Sequence, residues 1–599
     1  MPDFASFVPT QRFNSIALSP DGTTLAYSSN ANGQFNAWIH RLDEDEPRQL
    51  TQFTDRAVRD VSWSPDGSWL LLAADSHGDE QYQLYLLSAE GGEPELVTSA
   101  ADRQHMPAAD PFSLHGRYLL YSVNDRDITA QDLIVHDLDD GGTRRFVPPE
   151  GVMLAPVGLS PDGRWLLTAG LRSNTECLPY LIDLSDPEPA LRQLDGAMGG
   201  YIEPSAWAGN DGFYLRTNQD AEFLYLAYYS MATGSSSTVE IAPWDVEDVA
   251  VSRDGSTVIW GVNEAGRSML HARRHGSPPR LPAIRDGVVK AIRLSGDGRT
   301  VALLLDSATR PSEILIADLD AGTVRYLTDT RPPGLKAIDP TPAQLVRYAS
   351  YDGRDITGFL YRPSGDGPRP VLLSIHGGPE YQERPGYSAL YQYLLANGIG
   401  VFAPNFRGST GYGLSFQKLV HRDWGGGDLA DLEHAAKYLR TLDWVDAGSI
   451  AVYGASYGGF AALSCLSRLP GQFAAGVSVC GPTNLKTLAK AAPPTWRSFI
   501  VEMLGDPEAD ADHLLSRSPI THAHQIATPL FVIQGAKDPR VPRTEAEQIV
   551  QALRDRDIPV RYDLYEDEGH GFTNRANELQ AQASVADFLR QELCPAPEP

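Results

Sequence analysis

A four-residue signature, Ser-Pro-Asp-Gly, recurs along the first half of this 599-residue chain and limits what that half can fold into. Complete copies begin at Ser19, Ser64 and Ser160, and degraded copies such as Ser252-Arg253-Asp254-Gly255 fill the gaps between them. Asp-Gly between two apolar runs is a strong hairpin signal, because glycine tolerates the positive φ that such turns require. Successive copies lie 43 to 49 residues apart, and their final glycines are Gly22, Gly67, Gly116, Gly163, Gly212, Gly255 and Gly298.

Each period contains several strand-like runs as well as its hairpin. Between Gly22 and Gly67 these runs fall at residues 25–28, 37–42, 48–51 and 58–63. A period of roughly 40 to 50 residues with about four strands per unit is typical of a β-propeller blade. The alternative, a set of unrelated surface hairpins, does not account for the near-regular spacing. Seven copies therefore predict a seven-bladed propeller.

The pattern changes after the linker Arg331-Pro332-Pro333-Gly334 to strands that alternate with helical segments, which is the α/β pattern. Because these strands are continuous apolar runs, we expect a mostly parallel, doubly wound sheet that is buried on both faces. The predicted strands cover residues 371–375, 399–403, 450–453, 475–479, 530–533 and 560–565, and the predicted helices cover residues 429–442 and 578–593.

We accordingly divide the chain into three parts. Residues 1–14 form an N-terminal segment that we expect to pack on the second domain. Residues 15–335 form the propeller, and residues 336–599 form the α/β domain.

Charge and composition exclude several kinds of partner. A formal net charge of -27 repels phosphate backbones and anionic lipids, so we expect neither a nucleic-acid nor a membrane partner. Residues 1–13 lack a basic, continuously apolar leader, and no segment reaches the roughly 18 apolar residues of a membrane span. The four cysteines are too scattered for a disulfide framework or a zinc site, which favours a cytoplasmic protein.

The segment Gly454-Ala455-Ser456-Tyr457-Gly458 follows the predicted strand at residues 450–453 and precedes a run rich in alanine and leucine. This is the context of a G-x-S-x-G nucleophile elbow, in which a serine projects from a tight strand-to-helix turn. Small residues on both sides of the serine let the two backbones pass. The motif predicts that Ser456 is a catalytic nucleophile.

The acid and the base of such a hydrolase follow the serine in the order Ser, Asp, His. Asp538 follows the predicted strand at 530–533, and His570 lies between two glycines after the strand at 560–565. We expect His570 to accept the serine proton and Asp538 to fix its tautomer. His522 and His524 precede the strand of the acid, so we interpret them as polar helix or loop. This chemistry needs no metal and no cofactor.

A glycine pair predicts the oxyanion hole. His376-Gly377-Gly378-Pro379 follows the predicted strand at residues 371–375, where hydrolases of this fold place the loop that completes the hole. We assign the two donors to the backbone amides of Gly378 and Tyr457, and losing one such donor typically costs about 3 kcal/mol of transition-state stabilisation. The alternative is that the paired glycines only make a turn.

Together with the elbow and the His-Gly-Gly-Pro loop, Asn405-Phe406-Arg407-Gly408-Ser409 and Asp538-Pro539-Arg540-Val541-Pro542 give four ordered motifs behind a propeller. This combination resembles the prolyl oligopeptidase family of serine peptidases, and within it the acylaminoacyl-peptidase and dipeptidyl-peptidase-like branch. The resemblance implies that the propeller caps the active site and admits only short peptides or small amides. It also implies that Arg540 holds a substrate carbonyl, whereas we expect Arg407 to brace its loop.

Two carboxylates follow the oxyanion loop, at Glu380 and Glu383. We hypothesise that one of them binds a free α-amino group, which would make the protein an aminopeptidase or a dipeptidyl peptidase. The alternative is that both are solvated loop charges. By analogy of position, Trp496, Val541 and the Cys480-Gly481-Pro482 turn are predicted walls of an apolar pocket, and Cys480 itself is interpreted as a small buried hydrophobe.

The sequence therefore predicts a serine peptidase that hydrolyses short peptides or aminoacyl amides through an acyl-enzyme on Ser456. We expect an exopeptidase: an aminopeptidase, a dipeptidyl peptidase or an acylaminoacyl peptidase. The alternatives are an esterase, a hydrolase of aminoacyl-amide metabolites such as an antibiotic, or a propeller scaffold that carries an inactive hydrolase. The preferred residue at the cleavage site and the formation of a homo-oligomer stay open.

Overall fold

The computed structural model describes residues 3–98, 100–194, 199–276 and 278–594. It consists of seven small antiparallel sheets followed by one large mixed sheet. Of the predicted N-terminal segment, residues 1 and 2 lie outside the described residues. Residues Phe4–Phe7 of that segment form a short 3-10 helix.

The seven small sheets follow one another along the chain and form the seven blades of a propeller, which confirms the predicted architecture. Within each blade, strands that are adjacent in sequence pair antiparallel. Blade 1 consists of the strands Phe13–Leu18, Thr24–Ser29, Asn36–Arg41 and Arg48–Gln49, and blade 2 of Arg56–Trp63, Trp69–Ser76, Gln83–Ser88 and Glu95–Leu96. Blade 3 consists of His105–Phe112, Tyr118–Val123, Asp132–Asp137 and Thr143–Phe146, and blade 4 of Met153–Leu159, Trp165–Ser173, Glu176–Asp183 and Arg192–Gln193. The strands of blades 5 to 7 are Ile202–Trp207, Gly212–Thr217, Tyr225–Ser230, Ser235–Glu240; Val246–Val251, Thr257–Glu264, Arg267–Arg274; and Val288–Leu294, Thr300–Ser307, Arg310–Asp318, Thr323–Tyr326.

The expectation of four strands per period is wrong for blade 6, whose described residues form three. The segment that would supply the fourth strand contains Pro278, Pro279 and Pro282. Proline has no backbone N–H, so three of the five residues from 278 to 282 cannot donate the backbone hydrogen bonds that a fourth strand needs.

The repeated signature forms the turn between the first two strands of each blade. In blade 4 the Ser160 hydroxyl donates to Asp162 at 2.6 Å and accepts a hydrogen bond from the Trp165 amide at 2.9 Å. Gly163 has a φ of 73°, and the final glycines of the other copies have φ between 68° and 73°, with one exception. In blade 5 the positive φ falls on Gly209, while Gly212 begins a strand. The turn lies between residues 207 and 212, close to the predicted copy at 209–212, but its glycine with positive φ is the first and not the last of that copy.

The large sheet has eight strands, and the strand Asp355–Tyr361 pairs antiparallel with both of its neighbours. The six strands beyond it pair parallel, which confirms the predicted mostly parallel, doubly wound sheet. In spatial order the strands are Gln344–Ala349, Asp355–Tyr361, Gly400–Asn405, Arg369–Ile375, Val445–Ala455, Ala475–Val479, Leu530–Gly535 and Val560–Tyr565.

The helices connect these strands and cover both faces of the sheet. The α-helices are Pro333–Lys336, Ala389–Ala396, Leu414–Gln417, Gly427–Leu439, Tyr457–Arg468, Leu485–Ala491, Arg497–Met503, Ala511–Arg517, Arg543–Arg554 and Arg575–Leu593. The 3-10 helices after Phe4–Phe7 are Lys418–Val420, Pro494–Trp496 and Pro519–Gln525, the last of which contains His522 and His524. None of the helices within the described ranges is long and apolar enough to cross a membrane.

Successive apolar residues of one central strand point to opposite faces of the sheet. Val371 and Leu373 belong to one buried cluster, and Leu372 belongs to the other. The second cluster also contains Phe4 and Phe7, whose rings pack edge-on against Tyr393 at centroid distances of 5.3 and 5.7 Å. The described part of the N-terminal segment therefore packs on the hydrolase domain.

The chain enters the propeller beside the place where it leaves. The backbone N–H of Thr10 donates to the carbonyl of Thr330 at 3.1 Å. At another point of the boundary between the two domains, Arg384 of the hydrolase domain donates to Glu247 of blade 6 at 2.7 Å and to the carbonyl of Gly266 at 2.9 Å. These contacts hold the propeller over the hydrolase domain.

Two propeller glycines with nearly the same φ test the turn geometry. An added Cβ at Gly163 would meet nothing within 4 Å, whereas at Gly255 it would lie 2.6 Å from the carbonyl carbon of Ala208. We expect Gly163→Ala to lower the free energy of unfolding by about 1–2 kcal/mol, which is the cost of left-handed backbone alone. Gly255→Ala should cost more, because the backbone of blade 5 must also move. Urea unfolding of both variants checks this, and equal losses would contradict it.

Candidate active site

Ser456 occupies the turn between the strand Val445–Ala455 and the helix Tyr457–Arg468. Its backbone is left-handed, with φ 57° and ψ -124°. The turn is too tight for larger neighbours: a Cβ at Gly454 would lie 2.2 Å from the carbonyl carbon of Gly458. A Cβ at Gly458 would lie 2.1 Å from the carbonyl oxygen of Ile375. Strain of this kind at a non-glycine residue is typical of functional sites, and here it projects one hydroxyl from the end of a central strand.

The structure brings the three predicted catalytic side chains together. His570 Nε2 lies 2.9 Å from Ser456 Oγ, and His570 Nδ1 lies 2.7 Å from Asp538 Oδ2. The second carboxylate oxygen of Asp538 accepts hydrogen bonds from the amides of Arg540 and Val541 at 2.8 and 2.9 Å. The carboxylate is thereby fixed with one oxygen on the imidazole. The contact with Ser456 is short enough for the imidazole to take the serine proton, and the contact with Asp538 holds the imidazole in place.

Glu568 braces the loop that carries His570. Its carboxylate accepts hydrogen bonds from the amides of Thr573 at 2.7 Å and Asn574 at 3.1 Å, so it spans the loop on both sides of the histidine. Sequence reasoning missed this residue. In the sequence, Glu568 is marked only by its position before Gly569-His570-Gly571. That position does not show whether the carboxylate stabilises the loop or is an exposed charge.

The loop at Gly377 and Gly378 lies beside the serine. The ring of buried His376 stacks on Phe406 with centroids 4.4 Å apart, and its Nε2 lies 2.9 Å from the Ser409 hydroxyl. Burial lowers the pKa of His376 to about 4, so this ring is neutral near pH 7 and serves as a fixed support. Among the described residues, no backbone carbonyl accepts a hydrogen bond from the amide of Gly378 or from that of Tyr457. Both N–H groups remain available to an oxyanion.

A cavity of about 950 Å³ lies between the two domains and reaches the catalytic centre. His570, Ala455 and Cys480 line it from the hydrolase domain, and Arg216 and Glu247 line it from the propeller. The propeller therefore covers the site. A substrate in this cavity is enclosed by both domains, which limits its size.

Glu383 lies on the wall of this cavity. The hydroxyl of Tyr391 donates to Ser374 Oγ at 2.7 Å. Burial, together with the Glu383 charge, raises the pKa values of Tyr361, Tyr391 and Tyr453. Burial raises the pKa of Glu383 to about 7. Among the ion pairs of the described residues, none involves this carboxylate. Glu383 is therefore a partly buried acid without a cationic partner.

Glu380 has a different environment. Its side chain is 2% exposed and accepts hydrogen bonds from Asn174 at 2.6 Å and Gln417 at 2.9 Å, and it lies 3.0 Å from His421 Nε2. Burial opposes its ionisation, but the hydrogen bonds from His421, Asn174 and Gln417 outweigh burial and lower the pKa of Glu380. Neither Glu380 nor Glu383 is a solvated loop charge, and Glu380 joins the domains instead of lining the cavity.

Arg540 and Trp496 lie next to each other at the domain boundary. The guanidinium carbon of Arg540 lies 4.8 Å from the centre of the Trp496 ring, and Nη2 pairs with Glu80 of the propeller at 2.7 Å. Arg540 Nε is buried without a hydrogen-bond partner. Arg540 therefore has one N–H donor that no described residue uses.

Val541 lies in the buried core on one face of the sheet, where its side chain is 4% exposed. Its amide and that of Arg540 donate to the Asp538 carboxylate. Its role as a wall of a substrate pocket stays a prediction. Arg407 braces its loop through a buried ion pair with Asp431 at 2.7 Å.

Cys480 lies beside the triad. It has a left-handed backbone with φ 48°, it is buried, and its thiol lies within 4.8 Å of the Asp538 carboxylate. Burial, together with the neighbouring Asp538 charge, raises the pKa of the Cys480 thiol. The sequence interpretation of a small buried hydrophobe left out this proximity to a catalytic side chain.

A propeller over an α/β-hydrolase sheet, with a serine, a histidine and an aspartate converging at the carboxyl ends of its strands, defines a two-domain serine hydrolase. Comparison with known sequences makes this specific. The profile described as "Prolyl oligopeptidase family" matches residues 385–595, and that of "Prolyl oligopeptidase, N-terminal beta-propeller domain" matches residues 42–330. The chain belongs to the prolyl oligopeptidase family of serine peptidases.

Two curated relatives match almost the whole chain. Dipeptidyl aminopeptidase BIII of Pseudoxanthomonas mexicana is 31% identical, covering 99% of this chain and 89% of the relative. Dipeptidyl peptidase family member 6 of Caenorhabditis elegans is 36% identical, covering 97% and 85%. Among solved structures, a puromycin-hydrolyzing peptidase of Mycobacterium tuberculosis shares the fold with a TM-score of 0.84 at 19% identity, covering 100% of this chain and 97% of its own.

The close approach at Gly458 gives a direct test of the elbow. We expect Gly458→Ala to displace Ser456, because its Cβ cannot fit beside the carbonyl of Ile375. A misplacement of about 1 Å can cost about 100-fold in rate, so kcat/KM for a peptide anilide should fall at least that far. Gly571→Ala is the matched control beside His570, since its Cβ would meet nothing within 4 Å. Similar losses in both variants would contradict this account of the elbow.

Proposed function

We propose that the protein is an exopeptidase that cleaves short peptides with a free N-terminus through an acyl-enzyme on Ser456. His570 accepts the Ser456 proton as the hydroxyl attacks the scissile carbonyl, and Asp538 holds the imidazole in the tautomer that accepts it. The amides of Gly378 and Tyr457 stabilise the oxyanion. His570 then protonates the leaving amine, and water releases the acyl group by the same steps.

Glu383 is the observation that carries the exopeptidase assignment. It is a partly buried carboxylate without an ion pair, on the wall of the cavity that also contains His570. An α-ammonium group is the cation that every unblocked peptide brings into this cavity, and binding it would compensate the buried charge. Of two relatives matched over most of the chain, one is named a dipeptidyl aminopeptidase and the other a dipeptidyl peptidase family member, which supports the same assignment.

Within this proposal, Arg540 orients the substrate. Its buried Nε lacks a partner, while Glu80 and the Trp496 ring fix the rest of the guanidinium. A substrate backbone carbonyl would satisfy that donor. We also propose a cytoplasmic location, which the four free cysteines support.

Replacement of the nucleophile tests the reaction. We expect Ser456→Ala to abolish both hydrolysis of dipeptidyl anilides and labelling by a fluorophosphonate, because no other hydroxyl lies on His570 Nε2. Matched anilide and ester substrates of the wild-type protein separate a peptidase from an esterase. Anilide turnover that survives in Ser456→Ala, or an ester activity without any anilide activity, would overturn the proposal.

Replacement of the two neighbouring glutamates tests the recognition of the N-terminus. The measurement compares kcat/KM for a dipeptidyl anilide that has a free N-terminus with kcat/KM for its N-acetyl form. Glu383→Gln should lower this ratio of free to N-acetyl substrate by about 10- to 100-fold, the range that corresponds to one hydrogen bond to a charged group. Glu380→Gln is the matched control, because its carboxylate joins the domains away from the cavity. Faster cleavage of the N-acetyl substrate by the wild-type protein would identify an acylaminoacyl peptidase instead.

The pH dependence follows from the raised pKa of Glu383. Since this carboxyl ionises near pH 7 and only its ionised form binds an ammonium group strongly, we expect the same ratio of free to N-acetyl substrate to rise with pH through about 7. It should fall again above about pH 8, where the α-amino group loses its proton. Any effect of pH on the bond-breaking steps that the two substrates share cancels in the ratio. A ratio that stays flat in the wild-type protein, or that still rises in Glu383→Gln, would contradict the assignment.

A further inference from the structure

One group of side chains has the composition of a metal site. The ligand atoms of Cys480, Asp538 and His570 all lie within 4.8 Å of one another, and no other described residues bring three such groups together. Two of these residues belong to the proposed triad, whereas the reaction has no step for the thiol. Cys480 and His570 both line the 950 Å³ cavity, so a solvated ion can reach them.

A thiolate, an imidazole nitrogen and a carboxylate oxygen are the three ligand types that Zn²⁺ takes in proteins, at about 2.0–2.3 Å. Ligand atoms at those distances around a tetrahedral ion are about 3.5 Å apart. The three groups, which lie within 4.8 Å of one another, must therefore draw together around the ion, while the 2.7 Å contact between Asp538 and His570 must widen. Thiolate ligation also selects soft ions over Mg²⁺ and Ca²⁺, which prefer oxygen ligands. The formal net charge of -27 raises the local concentration of any cation.

We propose that Cys480, Asp538 and His570 form an inhibitory site for a single thiophilic divalent cation such as Zn²⁺ or Cd²⁺. The Cys480 thiol releases its proton to solvent, and the thiolate, the Asp538 carboxylate and a ring nitrogen of His570 each donate an electron pair to the ion. Water takes the remaining position. The bound ion breaks the contact between Asp538 and His570, so the imidazole no longer accepts the serine proton. Metal binding itself is independent of the proposed reaction, and only the inhibition rests on it.

Titration of the full-length, chelator-treated protein with Cd²⁺ tests the site, with the ultraviolet charge-transfer band of a Cd²⁺–thiolate bond as the readout. We expect the band to saturate with a single ion while hydrolysis of a dipeptidyl anilide is lost in parallel, and EDTA to reverse both changes. Mg²⁺ should have no effect. Ser456→Ala should bind Cd²⁺ as the wild-type protein does, which measures the site without any activity.

Cys480→Ser should abolish the band and raise the Cd²⁺ concentration for half-inhibition, relative to its own metal-free rate, by at least about tenfold. Cys594→Ser, which removes the exposed thiol, is the matched control and should behave as wild type. His570→Ala in the Ser456→Ala background should also weaken the band, and it keeps the test valid if Cys480→Ser does not fold. An unchanged band in Cys480→Ser, an unchanged half-inhibition concentration, or a band unaffected by His570→Ala would each overturn the proposal.

Discussion

The catalytic arrangement depends on one backbone crossing, where Gly458 passes the carbonyl oxygen of Ile375 with no room for a side chain. This contact draws the start of the helix Tyr457–Arg468 against a central strand and leaves Ser456 in a left-handed turn. The serine hydroxyl is thereby fixed at the edge of the sheet where the parallel strands end. Asp538 and His570 follow the last two strands of the same sheet. Because these strands are parallel, both residues come out at that edge, next to Ser456.

Carboxylates at the domain boundary divide into two kinds. Glu80, Glu247 and Glu380 each contact a basic side chain across or near the boundary, and they hold the propeller in place. Glu383 has no such partner and is exposed to the cavity. These three carboxylates are thus paired within the protein, whereas Glu383 takes part in no ion pair among the described residues.

Local requirements explain which features the sequence predicts well. A turn that needs positive φ requires glycine, so the repeated signature predicts the blades, and the order of Ser456, Asp538 and His570 follows from the order of the strands. Features set by tertiary placement were not predictable. Only the folded chain separates the environments of Glu380 and Glu383 or brings Cys480 to the triad. In blade 6 three prolines override the repeat.

The packing of Phe4 and Phe7 on the hydrolase domain makes the propeller an insertion between two pieces of one structural unit. Both connecting segments run side by side, joined by the hydrogen bond from Thr10 to Thr330. A rigid body tethered twice at one place swings about that place and separates most at the opposite rim. The ion pairs of Arg384 with Glu247 and of Arg540 with Glu80 join the two bodies, and any such separation has to break them.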